Sequence, residues 1–234
     1  MDVKKNDVFH VHTYRCGHAE DVVDEEYIKK AISIGATGIW FTDHAPFPGD
    51  PFGNRMKYSD LEEYLGTLSD LKYKYVDRLN VHIGLEIEYF PTFDRNGYYR
   101  ELTERNDIEF LLLGQHMAEY TTGHYTFEWD AEKLLSGEYV ALGKAQIQGI
   151  NTGYFDAVAH PDRIFRRQRE WTKNASILSK EIIDAAYRTN TQLEVNESSK
   201  QKIRHYWPEF WEMVERDLCI HGLDAHSLNE IRIL

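Results

Sequence analysis

Apolar and polar positions follow two periods along this chain. Short apolar runs read as strands: Asp7–His12, Thr37–Thr42, Asn80–Glu86, Glu109–Gly114, Phe155–His160, Thr191–Val195 and Asp217–His221. Helical patterns lie between them. Val22–Ile34 places Val23, Tyr27, Ala31 and Ile34 on one face and stops at Gly35, a residue suited to a helix C-terminus. Ser59-Asp60-Leu61-Glu62 has the form of a capping box, and the stripe Leu61, Leu65, Leu68, Leu71 and Val76 follows it. Trp129–Gln148, Lys173–Arg188 and the shorter Pro208–Arg216 complete the helices. Repeated strand–helix units imply a parallel sheet with buried strands. No glycine-rich phosphate fingerprint follows the first strand. A closed or nearly closed (β/α) barrel is therefore expected rather than an open doubly wound sheet. No repeat, low-complexity run or linker interrupts the pattern, so residues 1–234 are expected to form a single domain.

Composition narrows the function classes. The chain has 234 residues, 42% of them hydrophobic, and a chain this long buries roughly 70–75% of its unfolded surface. With only two cysteines, Cys16 and Cys219, it is not a disulfide-stapled domain. A formal net charge of −12 disfavours nucleic acid and anionic membranes as partners. The segment MDVKKNDVFHVH lacks the apolar core of a signal peptide, and no run approaches the ~20 residues of a membrane span. A cytoplasmic protein is expected.

The histidines give the chemical signal. In a (β/α) barrel the reactive residues sit at the C-terminal ends of the strands. The first strand ends His10-Val11-His12, where i and i+2 share a face, and His18 follows in the loop. The next strands end at Asp43-His44, Glu86, His116 and His160, and the last leads to Asp224-Ala225-His226. Seven of the eleven histidines thus fall at or just past strand ends, together with Glu86 and Asp224. His82, His124, His205 and His221 read as ordinary surface or core residues. Asp43 reads as a carboxylate that orients a ligand rather than as a ligand. Cys16 reads as a free thiol in a loop. Nine nitrogen and oxygen ligands exceed the needs of one ion and suit two or three that share a carboxylate. Their mixture favours Zn, Mn or Fe(II).

With these motifs in view, the chain resembles the PHP (polymerase and histidinol phosphatase) metallohydrolases, and within them the histidinol-phosphate phosphatases. The resemblance rests on HVHTYRCGH (10–18), the Asp43-His44 pair, GLEIEY (84–89), LLGQHM (112–117), AHPDRIF (159–165), LEVN (193–196) and LDAHS (223–227). It implies a distorted (β/α)7 barrel of TIM-like type with three divalent ions. One ion would be held by His10, His12, Glu86 and Asp224; a second by Glu86, His116 and His160; a third by His18, His44 and His226. The implied reaction is hydrolysis of a phosphomonoester, L-histidinol phosphate in histidine biosynthesis, by a metal-bound hydroxide. Arg163 is the candidate phosphate clamp, since a guanidinium pairs bidentately with phosphate, and Arg204 or Lys202 is an alternative. Glu88, Glu119 or Glu197 is a candidate to receive the substrate amine. Two departures bear on the substrate: Leu223 stands where the family has Ser, and Glu197-Ser198-Ser199-Lys200 replaces its usual continuation of LEVN. The rival readings are a PHP phosphoesterase for another phosphorylated metabolite or nucleotide, and a non-catalytic metal-stabilised module. The sequence carries no signal for oligomeric state.

Overall fold

The computed structural model describes residues 1–234. Nine strands occur: β1 (Asp7–Val11), β2 (Gly38–Phe41), β3 (Asn80–Ile87), β4 (Phe110–Leu113), β5 (Glu119–Thr121), β6 (His124–Tyr125), β7 (Ala157–Val158), β8 (Gln192–Asn196) and β9 (Cys219–Gly222). Seven form one sheet in the order β1-β2-β3-β4-β7-β8-β9, and β5 and β6 form a separate antiparallel hairpin. The main helices are α1 (Asp24–Ser33), α2 (Leu61–Lys74), α3 (Pro91–Arg95), α4 (Tyr98–Thr103), α5 (Ala131–Thr152), α6 (Lys173–Thr189), α7 (Glu197–Lys200) and α8 (Pro208–Trp211). No helix is long and apolar enough to cross a membrane.

The chain gathers into two compact units. The first comprises Met1–Glu86, Arg105–Leu111 and His221–Leu234. In it β1 pairs with β2 and β2 with β3, all in parallel. Residues 223–225 return along β1: Leu223 N–H donates to the Phe9 carbonyl, Ala225 N–H to that of His10, and His12 N–H to that of Ala225. The core here is aromatic. Phe9, Trp40 and Phe110 are buried, with the Trp40 and Phe110 rings edge to face at 5.1 Å. The second unit comprises Ile87–Glu104 and Leu112–Ile220. In it β4 pairs with β7 and β7 with β8, again in parallel. Helix α5 begins at Asp130, whose carboxylate accepts from Lys133 N–H, and α6 begins at Thr172, whose hydroxyl accepts from Ala175 N–H.

Several local expectations change. Helix α1 starts at Asp24, and Val23, expected on its buried face, is 62% exposed. Tyr27 and Ala31 lie on the buried face as expected, and Ile28 joins them. The capping box at Ser59 does not form: its hydroxyl donates to the Asp60 carboxylate, and a 3-10 turn over Tyr58–Asp60 precedes α2. Val76 lies beyond α2 and is exposed. Strand β7 has only two residues, and His160, expected to end it, lies beyond it with a left-handed backbone at φ 34°.

Candidate metal centre

In the first unit two backbone ladders set the side chains. Past the end of β2, Glu86 N–H donates to the Asp43 carbonyl and Ala45 N–H donates to that of Glu86. This continuation of the β2–β3 ladder brings His44 beside Glu86, with Nδ1 3.1 Å from Oε2. The ladder between residues 10–12 and 223–225 brings Asp224 against both β1 histidines. His10 does not follow the regular strand alternation. Its φ is 70°, and the β1–β2 register shifts between Phe9 and Val11. Asp224 is also left-handed, at φ 56°. Such backbones cost of the order of 1–3 kcal/mol each and persist where neighbours over-determine them, as the ladder bonds to residues 223–225 do here.

The result is a tight group of ligand atoms. His10 Nε2 and His12 Nε2 lie 3.0 Å apart. Glu86 Oε2 is 3.4 Å from each of them, and Asp224 Oδ1 is 3.6 Å from His10 and 3.4 Å from His12. Ligands about 2.1 Å from a tetrahedral ion stand about 3.4 Å from one another, so the spacing of His10, His12 and Glu86, with Asp224 beside both histidines, suits a divalent cation. Its electrostatics agree. Glu86 and Asp224 are buried carboxylates, 1% and 4% exposed, and need positive charge beside them. Burial works against a charge on His12, yet hydrogen bonds to Asp224 and Glu86 outweigh it and raise its pKa to about 9. A proton on His12 and a divalent ion thus compete for the same donors.

His18, His44 and His226 form a second group whose nitrogens lie within 4.8 Å of one another. His18 Nδ1 is 3.0 Å from the Cys16 carbonyl, and His226 Nδ1 is 3.0 Å from that of Asp224. A carbonyl accepts only, so in both rings the proton sits on Nδ1 and Nε2 carries the lone pair. His226 Nε2 is buried with no hydrogen-bond partner. Burial, with His12 close by, lowers the His226 pKa to about 3 and keeps the ring neutral. An orphaned lone pair beside two further imidazoles suits a metal ion.

Asp43 is fully buried, and Thr13 donates to it through both its N–H and its hydroxyl. Its Oδ1 lies 3.9 Å from His12 Nδ1, a facing charge rather than a hydrogen bond. Arg15, which the sequence reading passed over, donates to Thr13 Oγ1, to buried Asp24 and to Glu63. Cys16 is a free thiol as expected, but it is buried at the end of a 3-10 turn over Tyr14–Cys16, and burial lifts its pKa to about 11.

In the second unit His116 and His160 have ring centroids 5.1 Å apart. His116 Nδ1 is 3.2 Å from Glu88 Oε1. His160 N–H donates to Glu194, which also accepts from the Asn196 amide, and both of these residues are fully buried. Arg163 donates to Ser199 Oγ at 2.9 Å and to Asn196 Oδ1 at 3.2 Å, so α7 holds its guanidinium. Arg204 is exposed, at φ 64°, and its carbonyl accepts from the Trp207 indole; it is not drawn into the Arg163 cluster. The candidate amine receivers have other partners: Glu88 meets His116, Glu119 accepts from Thr92 and Gly123, and Glu197 pairs with Lys200. Buried Glu194 escaped notice because it precedes no ligand in the sequence and reads as part of a strand.

The PHP domain family matches residues 9–198. The chain belongs to the PHP domain family. A Deinococcus radiodurans protein named as a probable histidinol-phosphatase is 29% identical over 161 residues, covering 65% of this chain and 59% of that protein. The histidinol-phosphatase of Bacillus subtilis is 34% identical over 91 residues, 36% of this chain and 34% of that protein. The chain thus matches less than two thirds of the length of either relative. Among solved structures, a Listeria monocytogenes chain assigned as a histidinol phosphatase superposes with a TM-score of 0.77 at 18% identity, covering 96% of this chain and 97% of that one. The Lactococcus lactis histidinol phosphate phosphatase, crystallised with zinc, L-histidinol and phosphate, gives a TM-score of 0.70 at 17% identity, covering 96% of this PHP chain and 87% of that one. The likeness is one of fold, and the seven-stranded (β/α) barrel of PHP type expected from the sequence is met.

Proposed function

We propose that this chain is a metal-dependent phosphomonoester hydrolase whose substrate is L-histidinol phosphate. The observation that carries the reading is the buried cluster of His10, His12 and Glu86 ligand atoms, 3.0–3.4 Å apart, with Asp224 3.4–3.6 Å from both histidines. The names of the curated relatives and the zinc, histidinol and phosphate in the Lactococcus lactis structure support the substrate. The assignment of three divalent ions to His10, His12, Glu86 and Asp224, to Glu86, His116 and His160, and to His18, His44 and His226 belongs to the same proposal. So do zinc, manganese or iron as the ions, a soluble cytoplasmic setting and a single domain.

Divalent ions, when bound, bring the pKa of a coordinated water to near 7 and neutralise phosphoryl oxygens. The side chains do the rest. The Nδ1 hydrogen bonds of His18 and His226 aim their Nε2 atoms. Asp43, fixed by Thr13, faces the outer nitrogen of His12 and favours its ligating tautomer. Arg163, held by Ser199 and Asn196, adds a guanidinium that pairs with a phosphate dianion.

The test is steady-state phosphate release from L-histidinol phosphate, p-nitrophenyl phosphate, AMP and sugar phosphates. Each is measured on metal-stripped protein and after adding back Zn, Mn or Fe(II). A metal-dependent kcat/KM of about 10⁴ M⁻¹s⁻¹ or more, well above the other substrates, is expected for histidinol phosphate. A flat metal-dependent profile would keep the hydrolase and discard the substrate. No metal-dependent release would overturn both.

A further inference from the structure

Glu88 has no part in the proposed ligand set, yet it is among the most buried acids of the chain, 1% exposed. Its carboxylate Oε1 is 3.2 Å from His116 Nδ1. His116 itself is the more open partner, with 27% of its side chain exposed. A buried carboxylate facing a half-open imidazole is expensive to keep unless the contact has a use.

The surroundings hold this pair in register. Next to Glu88, Tyr89 N–H donates to the Gln115 side-chain oxygen at 3.0 Å, and the Gln115 amide donates back to the Tyr89 carbonyl at 3.3 Å. Gln115 precedes His116, so this two-point bond joins the immediate neighbours of the pair. Behind it the buried Tyr99 hydroxyl donates to the Glu88 carbonyl at 2.7 Å and accepts from Phe90 N–H at 2.8 Å. On the other side Arg166 donates to the His116 carbonyl at 3.1 Å, and its guanidinium is tied to Glu138. Both backbones are therefore fixed independently of the side-chain contact. The His116 ring itself meets Glu88 through the Nδ1 contact.

We propose that Glu88 is a positioning residue for His116: its carboxylate accepts a hydrogen bond from Nδ1–H and so leaves Nε2 as the nitrogen that binds a divalent ion. This rests on the ligand reading of His116 given above. A carboxylate behind a ligating imidazole sets the tautomer, holds the ring plane and raises the basicity of the ligating nitrogen, and loss of such a partner weakens metal binding by about 10- to 100-fold. It also accounts for an acid that is buried and yet offers no open carboxylate to a substrate amine.

The experiment is a double-variant cycle read by zinc affinity, measured on the full chain by competition with a chromophoric chelator, with thermal unfolding as a check on folding. Glu88→Ala is expected to weaken one equivalent of zinc by about 10- to 100-fold. His116→Ala should weaken the same equivalent, and Glu88→Ala added to His116→Ala should cost nothing further, because its effect passes through the ring. Glu88→Gln keeps an acceptor for Nδ1–H and should lose only a few-fold. Equal losses from Glu88→Ala with and without His116 would overturn the proposal, as would equal losses from Gln and Ala, which would mark Glu88 as a direct ligand. Unchanged affinity in Glu88→Ala would overturn it too, while leaving the metal reading intact. A wild-type chain that binds no zinc would overturn the metal reading and this proposal together.

Discussion

Gly84→Ala tests whether the motif glycine of β3 is there for packing. A Cβ at this position would lie 2.5 Å from Cε1 and 2.6 Å from Cε2 of Phe110. Carbon atoms in contact sit about 3.5–4.0 Å apart, so the ring must retreat by about 1 Å. It has little room, because Phe110 is 3% exposed and wedged against Trp40 at 5.1 Å and Phe9 at 6.3 Å between ring centroids. Overpacking of this kind costs about 1–3 kcal/mol. At this chain length 1 kcal/mol moves the melting temperature by about 2–4 °C, so a fall of roughly 3–10 °C is expected. Gly66→Ala is the matched control. Gly66 lies within α2 with no heavy atom within 4 Å of an added Cβ, and the same substitution there should stabilise by about 0.5–1 kcal/mol. Thermal and urea unfolding of both variants give the comparison. Phe110→Leu should recover part of the loss in Gly84→Ala, since it removes the ring atoms that clash. The packing argument fails if Gly84→Ala is as stable as wild type, or if the second substitution makes matters worse.

The remaining predictions concern charge. Arg15→Met should destabilise by about 3–5 kcal/mol, because it strands Asp24, whose side chain is 2% exposed, while Glu63 can turn to water; Arg15→Met with Asp24→Leu should regain most of this in urea titrations. In metal-free protein His12 has a folded-state pKa of about 9 against about 6.5 unfolded. Its contribution is then fully present below pH 6.5 and lost as the pH rises through 9. The stability gap between wild type and His12→Asn should therefore narrow by about 3 kcal/mol over that window and vanish as a trend once zinc is bound. A gap independent of pH in the metal-free chain would refute the assignment.

The elements that were legible in the sequence are those whose chemistry is local. Apolar runs such as EFLLLG mark β4 to within a residue, and the helix expected from Lys173 starts at that residue. The errors fall where a distant contact decides the outcome. Val23 matches a helical face by period, but α1 starts only at Asp24, two residues after the expected start, which leaves Val23 outside the helix while Tyr27 and Ala31 pack inward as expected. The hairpin β5–β6 has a glycine turn at Gly123 but only short, polar strands, too little period to be seen. Glu88, Glu194 and Arg15 are buried charges, and nothing in a string of residues says that a charged side chain is buried; only their partners in space do.

The two β1 histidines show why a correct expectation can have a different cause. Strand alternation predicts that His10 and His12 point together. Their ring nitrogens do meet at 3.0 Å, but with His10 at φ 70° and the register broken after Phe9. A regular strand would continue its ladder through this point. The kink instead turns the chain at the strand end, where the His10 carbonyl accepts from Ala225 and Asp224 is drawn in, also left-handed. His160, two residues past β7, makes the same conformational choice at φ 34°. Three of the nine proposed ligands therefore occupy backbone conformations that non-glycine residues seldom adopt. A fold selected for stability alone would relax them, so this strain is what the proposed metal centre costs and binding energy from the ions can offset it.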